Sequence, residues 1–315
     1  VAAAVTVGID LGGTKCLGVA VDDRGRVVAE HRTPTPRGTA AVLDALAGVA
    51  AALVAEVGPV AAVGCGVPGL VDAGGRLRFA PNLPGVADLA VGDELSARLG
   101  VPVRVDNDAN CAAWGEREAG AGRQAAHMVL VTLGTGIGGG LVSGGVLDRG
   151  AHGFAGEVGH MVVDPHGPAC PCGKRGCWER FASGSGLGRL GREAAEAGRA
   201  PRLVALAGGD PAAVRGEHVT QAAVEGDPAA IEVMRSFAWW VALGLSNLAN
   251  LLDPELFVVA GGLVEAGEVL LGPVRAAFAE LVEAAEHRPE VPILPAALGE
   301  RAGAVGAALI ARELL

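Results

Sequence analysis

Val5-Thr6-Val7-Gly8-Ile9-Asp10-Leu11-Gly12-Gly13-Thr14-Lys15-Cys16-Leu17-Gly18-Val19-Ala20-Val21 is an apolar run, a Gly/Thr loop and a second apolar run. Residues 5–9 read as a buried strand and residues 17–21 as its return. Glycines at the tip let backbone N–H groups approach an anion with no Cβ in the way. Thr14 adds a hydroxyl donor and Lys15 a point charge; Lys174 is the only other lysine in the chain. A plain tight hairpin is the bland alternative, and the Asp-Gly-Gly-Thr combination favours a phosphate loop. Residues 128–142 repeat the order weakly: a strand over 128–133, then Gly134-Thr135-Gly136, then strand again. Gly134-Thr135-Gly136-Ile137-Gly138-Gly139 also spells a dinucleotide fingerprint, but that motif needs a helix after the glycines, and residues 140–146 are strand-like. Neither lysine stands in a Walker loop. Two facing Gly/Thr hairpins fit a nucleotide held between two similar domains. Gly261-Gly262, after a strand over 256–260, are further candidates for the adenosine end.

Composition narrows the class. The chain has 315 residues, half of them apolar, and no tyrosine, so it builds cores from Ala, Val and Leu with close backbone packing. A formal net charge of −10 argues against a nucleic-acid or anionic-membrane surface. It does not argue against ATP, because local backbone dipoles decide that contact. Cys16, Cys65 and Cys111 stand singly in small or apolar surroundings and read as buried thiols. With a metal-type cluster for the other three cysteines, this usage predicts a cytoplasmic protein. No signal-peptide pattern opens the sequence. The apolar stretch 237–252 is too short to span a bilayer and reads as a buried helix or a helix at a subunit interface. Trp239-Trp240 within it predicts a homo-oligomer, a dimer or tetramer.

Helices are predicted over 39–56, from the Asn107-Asp108 cap to 118, and over 185–197, 219–225, 228–252 and 301–315. Strands are predicted over 26–30, 60–67 and 101–105. Gly303 and Gly306 on one side of the last helix predict close packing against the N-terminal domain. The expected division is a smaller α/β domain of residues 1–107 plus 301–315 and a larger one of residues 108–300, with chain crossings near 106–108 and 299–301.

Chemistry gathers in two places. Val105-Asp106-Asn107-Asp108-Ala109-Asn110 puts two carboxylates and two amides at a strand-to-helix junction. Asp108 reads either as a cap or as a general base for phosphoryl transfer, a reaction that needs an oriented hydroxyl and a carboxylate to take its proton. Glu157-Val158-Gly159-His160 precedes Cys170-Pro171-Cys172 and Cys177-Trp178-Glu179. Three thiols and an imidazole are the ligand set of a closed Cys₃His zinc site, which shapes a loop rather than activating water. Asn82, Asn107, Asp108, Glu157, His160 and Glu179 together suit a polyol.

In order and spacing these motifs resemble the bacterial sugar kinases of the repressor–open reading frame–kinase (ROK) family, its actinobacterial-type glucokinases in particular. The resemblance rests on Asp10–Lys15, Asp106–Asn110, Leu133–Gly140, Glu157–His160 and Cys170–Glu179. It implies an α/β, actin-like (ribonuclease H-like) two-domain fold with the active site in the cleft. It implies that Asp108 deprotonates the 6-hydroxyl of glucose, and that Asn82, Asn107, Glu157, His160 and Glu179 bind the sugar. It implies zinc on His160, Cys170, Cys172 and Cys177, and MgATP on the loops at Asp10, Gly12, Gly13, Thr14 and Lys15 and at Gly134, Thr135 and Gly136. Asp10 is the expected nearest carboxylate to Mg²⁺, through water. Asp106 stands where many members carry Glu, and residues 83–86 lack the aromatic residue often found in glucose-specific members, so the hexose could instead be N-acetylmannosamine, mannose or fructose. A sugar-responsive repressor is disfavoured because the first strand starts at residue 5.

Overall fold

The computed structural model describes residues 5–80, 83 and 85–315. Asn82 lies outside the described residues. Along the chain come β1 (Thr6–Leu11), β2 (Lys15–Val21), β3 (Val27–Pro34), α1 (Thr39–Val57), β4 (Ala62–Val67), β5 (Leu70–Val71), β6 (Leu77–Phe79), β7 (Ala87–Leu89), α2 (Val91–Leu99), β8 (Val103–Asn107) and α3 (Asp108–Ala119). Then follow β9 (Met128–Leu133), β10 (Ile137–Ser143), β11 (Val146–Asp148), α4 (Glu179–Ala182), α5 (Gly184–Glu196), α6 (Pro201–Leu206), α7 (Gly216–Val224) and α8 (Pro228–Leu252). The chain ends with β12 (Leu256–Ala260), α9 (Glu268–Leu281), β13 (Ile293–Pro295) and α10 (Ala302–Ile310).

The first sheet has the order β3-β2-β1-β4-β8. β1 and β2 pair antiparallel, Asp10 opposite Leu17, as do β2 and β3. β4 joins β1 in parallel and β8 joins β4 in parallel. The second sheet has the order β11-β10-β9-β12-β13, with an antiparallel β10–β11 pair and a parallel β12–β13 pair. Each sheet is thus a run of hairpin-connected strands extended on the other side of its first strand, so the weak sequence repeat is a repeat of topology. The fold is α/β, as the sequence predicts.

Two compact units result. One is Val1–Leu130, Gly140–Gly156 and Ala296–Leu315; the other is Val131–Gly139 and Glu157–Pro295. This division differs from the expected boundary at 107/108, and the reason is packing: α3 lies against α10, β4 and β8, all in the first unit. The approach of α10 to α3 is that of bare backbones. A Cβ on Gly306 would sit 1.6 Å from the Cys111 carbonyl oxygen. The small-residue side of the last helix does therefore pack into the N-terminal unit. Glu116 on α3 is fully buried, and its carboxylate accepts from the Ala121, Ala297 and Leu298 N–H groups at 2.7–3.0 Å. It thus fastens the chain where it re-enters the first unit.

On the opposite face of the first sheet, α1 buries Val42, Leu43, Leu46, Val49, Ala50 and Leu53 against β1, β2 and β3. Among the described residues α1 is the one helix long and apolar enough to cross a membrane, and here it is a sheet-packing helix. In the second unit α8 packs with α4, α5, α7 and α9. Residues 237–252 belong to it, with Phe237, Val241, Leu245 and Leu248 buried and Trp239 40% exposed.

Candidate active site

In the first unit the β1–β2 hairpin closes with the Gly12 N–H on the Lys15 carbonyl at 2.9 Å, and the Thr35 hydroxyl donates to the Gly12 carbonyl at 2.7 Å. Gly13, Thr14 and Lys15 form its exposed tip. The Lys15 ammonium pairs with Glu300, which also pairs with Arg32; these partners hold the Glu300 carboxyl down at about 2. Asp10, at the inner end of the loop, is half-buried. Burial above all, and then the charge of Asp108, push its carboxyl up to about 7, while Lys15 pulls the other way. Gly303 of α10 backs this carboxylate so closely that a Cβ there would lie 2.7 Å from Asp10 Cγ. Asp10, Lys15 and Asp108 are thus brought within electrostatic reach of one another.

The strand-to-helix junction resolves the question of the cap. Asn107, not Asp108, is the N-cap: its Oδ1 accepts from the Ala109 N–H at 2.8 Å and the Asn110 N–H at 3.1 Å. Its Nδ2 donates to the Gly69 carbonyl at 3.1 Å. Asp108, which opens the helix, also accepts from the Ala109 N–H, at 2.9 Å. Just below, Asp106 is buried and meets Arg149 at 2.5 Å. Arg149 is a residue that sequence reading missed, because it lies 43 positions away with no local pattern to link the two.

In the second unit the ligand atoms of His160, Cys170, Cys172 and Cys177 all lie within 4.8 Å of one another. Cys172 Sγ and Cys177 Sγ are 3.6 Å apart, and Cys170 Sγ and His160 Nδ1 are 3.9 Å apart. Tetrahedral zinc with bonds of about 2.3 Å to sulfur sets sulfurs about 3.8 Å apart, so the four residues fit that ion. His160 turns Nδ1 toward the thiols and Nε2 toward Glu157, whose Oε2 is 3.9 Å away. Glu179 Oε1 accepts from Cys170 Sγ at 3.0 Å. Burial raises the Glu157 carboxyl above its ordinary value; His160 lowers it and Glu179 raises it again.

Trp178 locks this loop in place. It is fully buried, its Nε1–H donates to the Trp240 carbonyl at 2.7 Å, and a Cβ on Gly244 of α8 would strike its ring at 1.9 Å. Phe181 stacks on Trp240 with ring centroids 4.2 Å apart. Flanked by Cys177 and Glu179, Trp178 thus ties both to a long helix. The second Gly/Thr loop lies beside them: a Cβ on Gly136 would meet Glu179 Oε2 at 2.8 Å. The Gly184 N–H donates to the Gly134 carbonyl at 2.8 Å and the Ser185 hydroxyl to the Thr135 carbonyl at 3.0 Å. Gly261, at φ 91°, stands against the backbone of Leu133 at the root of the same loop, whereas Gly262 is open on its Cβ side. The second unit so gathers Gly134–Gly136, Gly261, Glu157, His160, Glu179 and the three thiols.

The repeated α/β fold, the Gly/Thr hairpin in each half, the acid at a capped helix start and the Cys₃His loop are the features on which the resemblance to sugar kinases rests. The sequence matches the ROK family over residues 6–314, and the chain belongs to that family. It is 41% identical over 313 residues to a glucokinase of Streptomyces coelicolor, covering 98% of each chain. It resembles the crystal structure of a ROK family glucokinase from Streptomyces griseus in complex with glucose and AMPPNP, with a TM-score of 0.87, 41% identity and coverage of 98% and 99%. It also resembles a ROK hexokinase from Thermus thermophilus, with a TM-score of 0.80, 35% identity and 98% of each chain covered.

Proposed function

We propose that this chain is an ATP-dependent glucokinase that transfers the γ-phosphoryl group of ATP to the 6-hydroxyl of glucose. One observation carries the sugar half of the reading: His160 offers one ring nitrogen to the thiol cluster and the other to Glu157. A metal on the first nitrogen fixes the tautomer, and the second then presents a defined partner to a sugar hydroxyl. His160, Cys170, Cys172 and Cys177 would hold zinc, which would supply structure only. Glu157 and Glu179 accept hydrogen bonds from the hexose, with Asn82 and the second Nδ2 hydrogen of Asn107 as donors. Asp108 takes the proton of the 6-hydroxyl as its oxygen attacks phosphorus and ADP departs.

Backbone N–H groups of Gly12, Gly13 and Thr14, with Lys15, and of Gly134, Thr135 and Gly136 hold the phosphates; Gly261 and Gly262 border the adenosine. Mg²⁺ bound with ATP neutralises phosphate charge, and Asp10 is the carboxylate that would hold it through water. Leu83-Pro84-Gly85-Val86 and the likeness to a hexokinase favour a second reading, a kinase for another hexose such as mannose, fructose or N-acetylmannosamine. The isolated thiols support a cytoplasmic setting, and exposed Trp239 on α8 supports a homo-oligomer. The net charge of −10 supports small-molecule partners over nucleic acid or membrane.

A coupled assay over these sugars decides the substrate by the ratio of kcat/KM values. Asp108→Asn should lower kcat by roughly three orders of magnitude or more, with KM for glucose changed by less than about fivefold. Near-normal turnover of that variant removes the base from the mechanism.

A further inference from the structure

Asp106 is two residues before the proposed base, and its side chain is 6% exposed. Oδ1 accepts from the Asn107 N–H at 2.8 Å and from Asn110 Nδ2 at 2.9 Å. Those two partners bracket Asp108 in sequence. Oδ2 accepts from Arg149 Nε at 2.5 Å. Arg149 reaches on to Glu313 at 3.3 Å, and Glu313 also pairs with Arg104 at 3.8 Å. One carboxylate therefore joins the end of β8, the first turn of α3 and the segment after β11. Asn110 is 1% exposed and its Oδ1 has no hydrogen-bond partner, so its side chain is fixed by Asp106.

We propose that Arg149 is a positioning residue for phosphoryl transfer, acting through Asp106 on the turn that presents Asp108. The inference rests on the reading of Asp108 as the base. A carboxylate this buried needs a cation and hydrogen bonds to offset the loss of water, and Arg149 supplies the cation. Without it, the carboxylate relieves its charge by turning toward water. That rotation breaks both bonds at Oδ1 and frees the Asn107–Asn110 turn. A displacement of about 1 Å at a reacting group can cost about a hundredfold in rate.

The test uses the full chain with steady-state kinetics. Arg149→Ala should lower kcat by roughly ten- to a hundredfold while KM for ATP stays within about threefold, since the nucleotide loops are untouched. Added guanidinium ion at low millimolar concentration should restore kcat at least about fivefold in Arg149→Ala and leave the parent enzyme unchanged. Because Arg149 acts through the charge on Asp106, the Asp106→Asn/Arg149→Ala double variant should be no slower than Arg149→Ala alone. Full activity of Arg149→Ala, a loss that guanidinium does not restore and that follows the folded fraction in a thermal melt, or losses that multiply in the double variant would each overturn the proposal. The Asp108→Asn assay fails or succeeds separately: an active Asp108→Asn enzyme removes the base itself, whereas an inactive one beside a fully active Arg149→Ala removes only the role of Arg149.

Discussion

Replacing Asp10 by Asn should make the protein more stable and, under the proposed function, less active. Burial and the neighbouring Asp108 charge lift the Asp10 carboxyl from 3.8 to about 7. An aspartate whose folded pKa lies above its unfolded one takes up a proton on folding. The fold then bears no penalty below about pH 4, where both states are protonated, and loses stability as pH rises from about 4 to about 7. With 1.36 kcal/mol per unit, the penalty is about 1.7 kcal/mol at pH 5 and about 4 kcal/mol at pH 8. An amide at position 10 has the shape of the acid and no titration, so it escapes this loss. Urea unfolding of parent and Asp10→Asn at pH 5 and pH 8, without nucleotide or Mg²⁺, should show the advantage of the variant growing by about 2.5 kcal/mol between the two pH values. Saturating MgATP should narrow the gap, because a bound cation favours the charged carboxylate of the parent only. Parallel stability–pH curves would show that Asp10 is an ordinary aspartate, and a less stable variant at pH 8 would show that its charge is compensated within the fold.

Under the proposed function, treatment with a zinc chelator should weaken glucose binding by at least about tenfold and change the fluorescence of Trp178, because Cys177 precedes it; titration calorimetry on metal-free protein that matches the untreated form would reject the brace. Trp178→Ala removes a fully buried indole wedged on Gly244 and should cost about 3–5 kcal/mol in urea unfolding, with zinc content falling as the loop loosens; an unchanged midpoint would count against the anchoring role. Gly306→Ala puts a Cβ 1.6 Å from the Cys111 carbonyl, so α10 must shift from α3, costing about 3 kcal/mol or more; wild-type stability would mean the two helices have slack between them.

What the sequence discloses, and what it conceals, follows from the range of each interaction. The two Gly/Thr hairpins are local, their residues within a few positions of one another, and the Cys₃His set is confined to residues 160–177, with Gly173 and Gly176 at positive φ in its turns. The two hairpins and the weak repeat were accordingly legible; the strand orders were not, and β11 and β13, three residues each, carry too little pattern to read. The three-stranded sheet β5-β6-β7 was not legible either, since strands of two or three residues carry no periodicity. α2 was missed for a similar reason: only Val91 and Leu95 are buried along it, too few to mark a face. The allegiance of α3 was hidden by distance, because its partner α10 lies some 180 residues on. The cap shows the same limit at one position. Asn107 and Asp108 are both good capping residues by type, and only the bond from the Asn110 N–H to Asn107 Oδ1 selects between them, since the Ala109 N–H reaches both Asn107 Oδ1 and Asp108 Oδ1. Asp108 Oδ1 accepts from the Ala109 N–H at 2.9 Å, while the Asn110 N–H goes to Asn107. Adjacent side chains thus divide the work at this junction: Asn107 caps the helix, Asp106 ties the turn to Arg149, and Asp108 opens the first turn beside them.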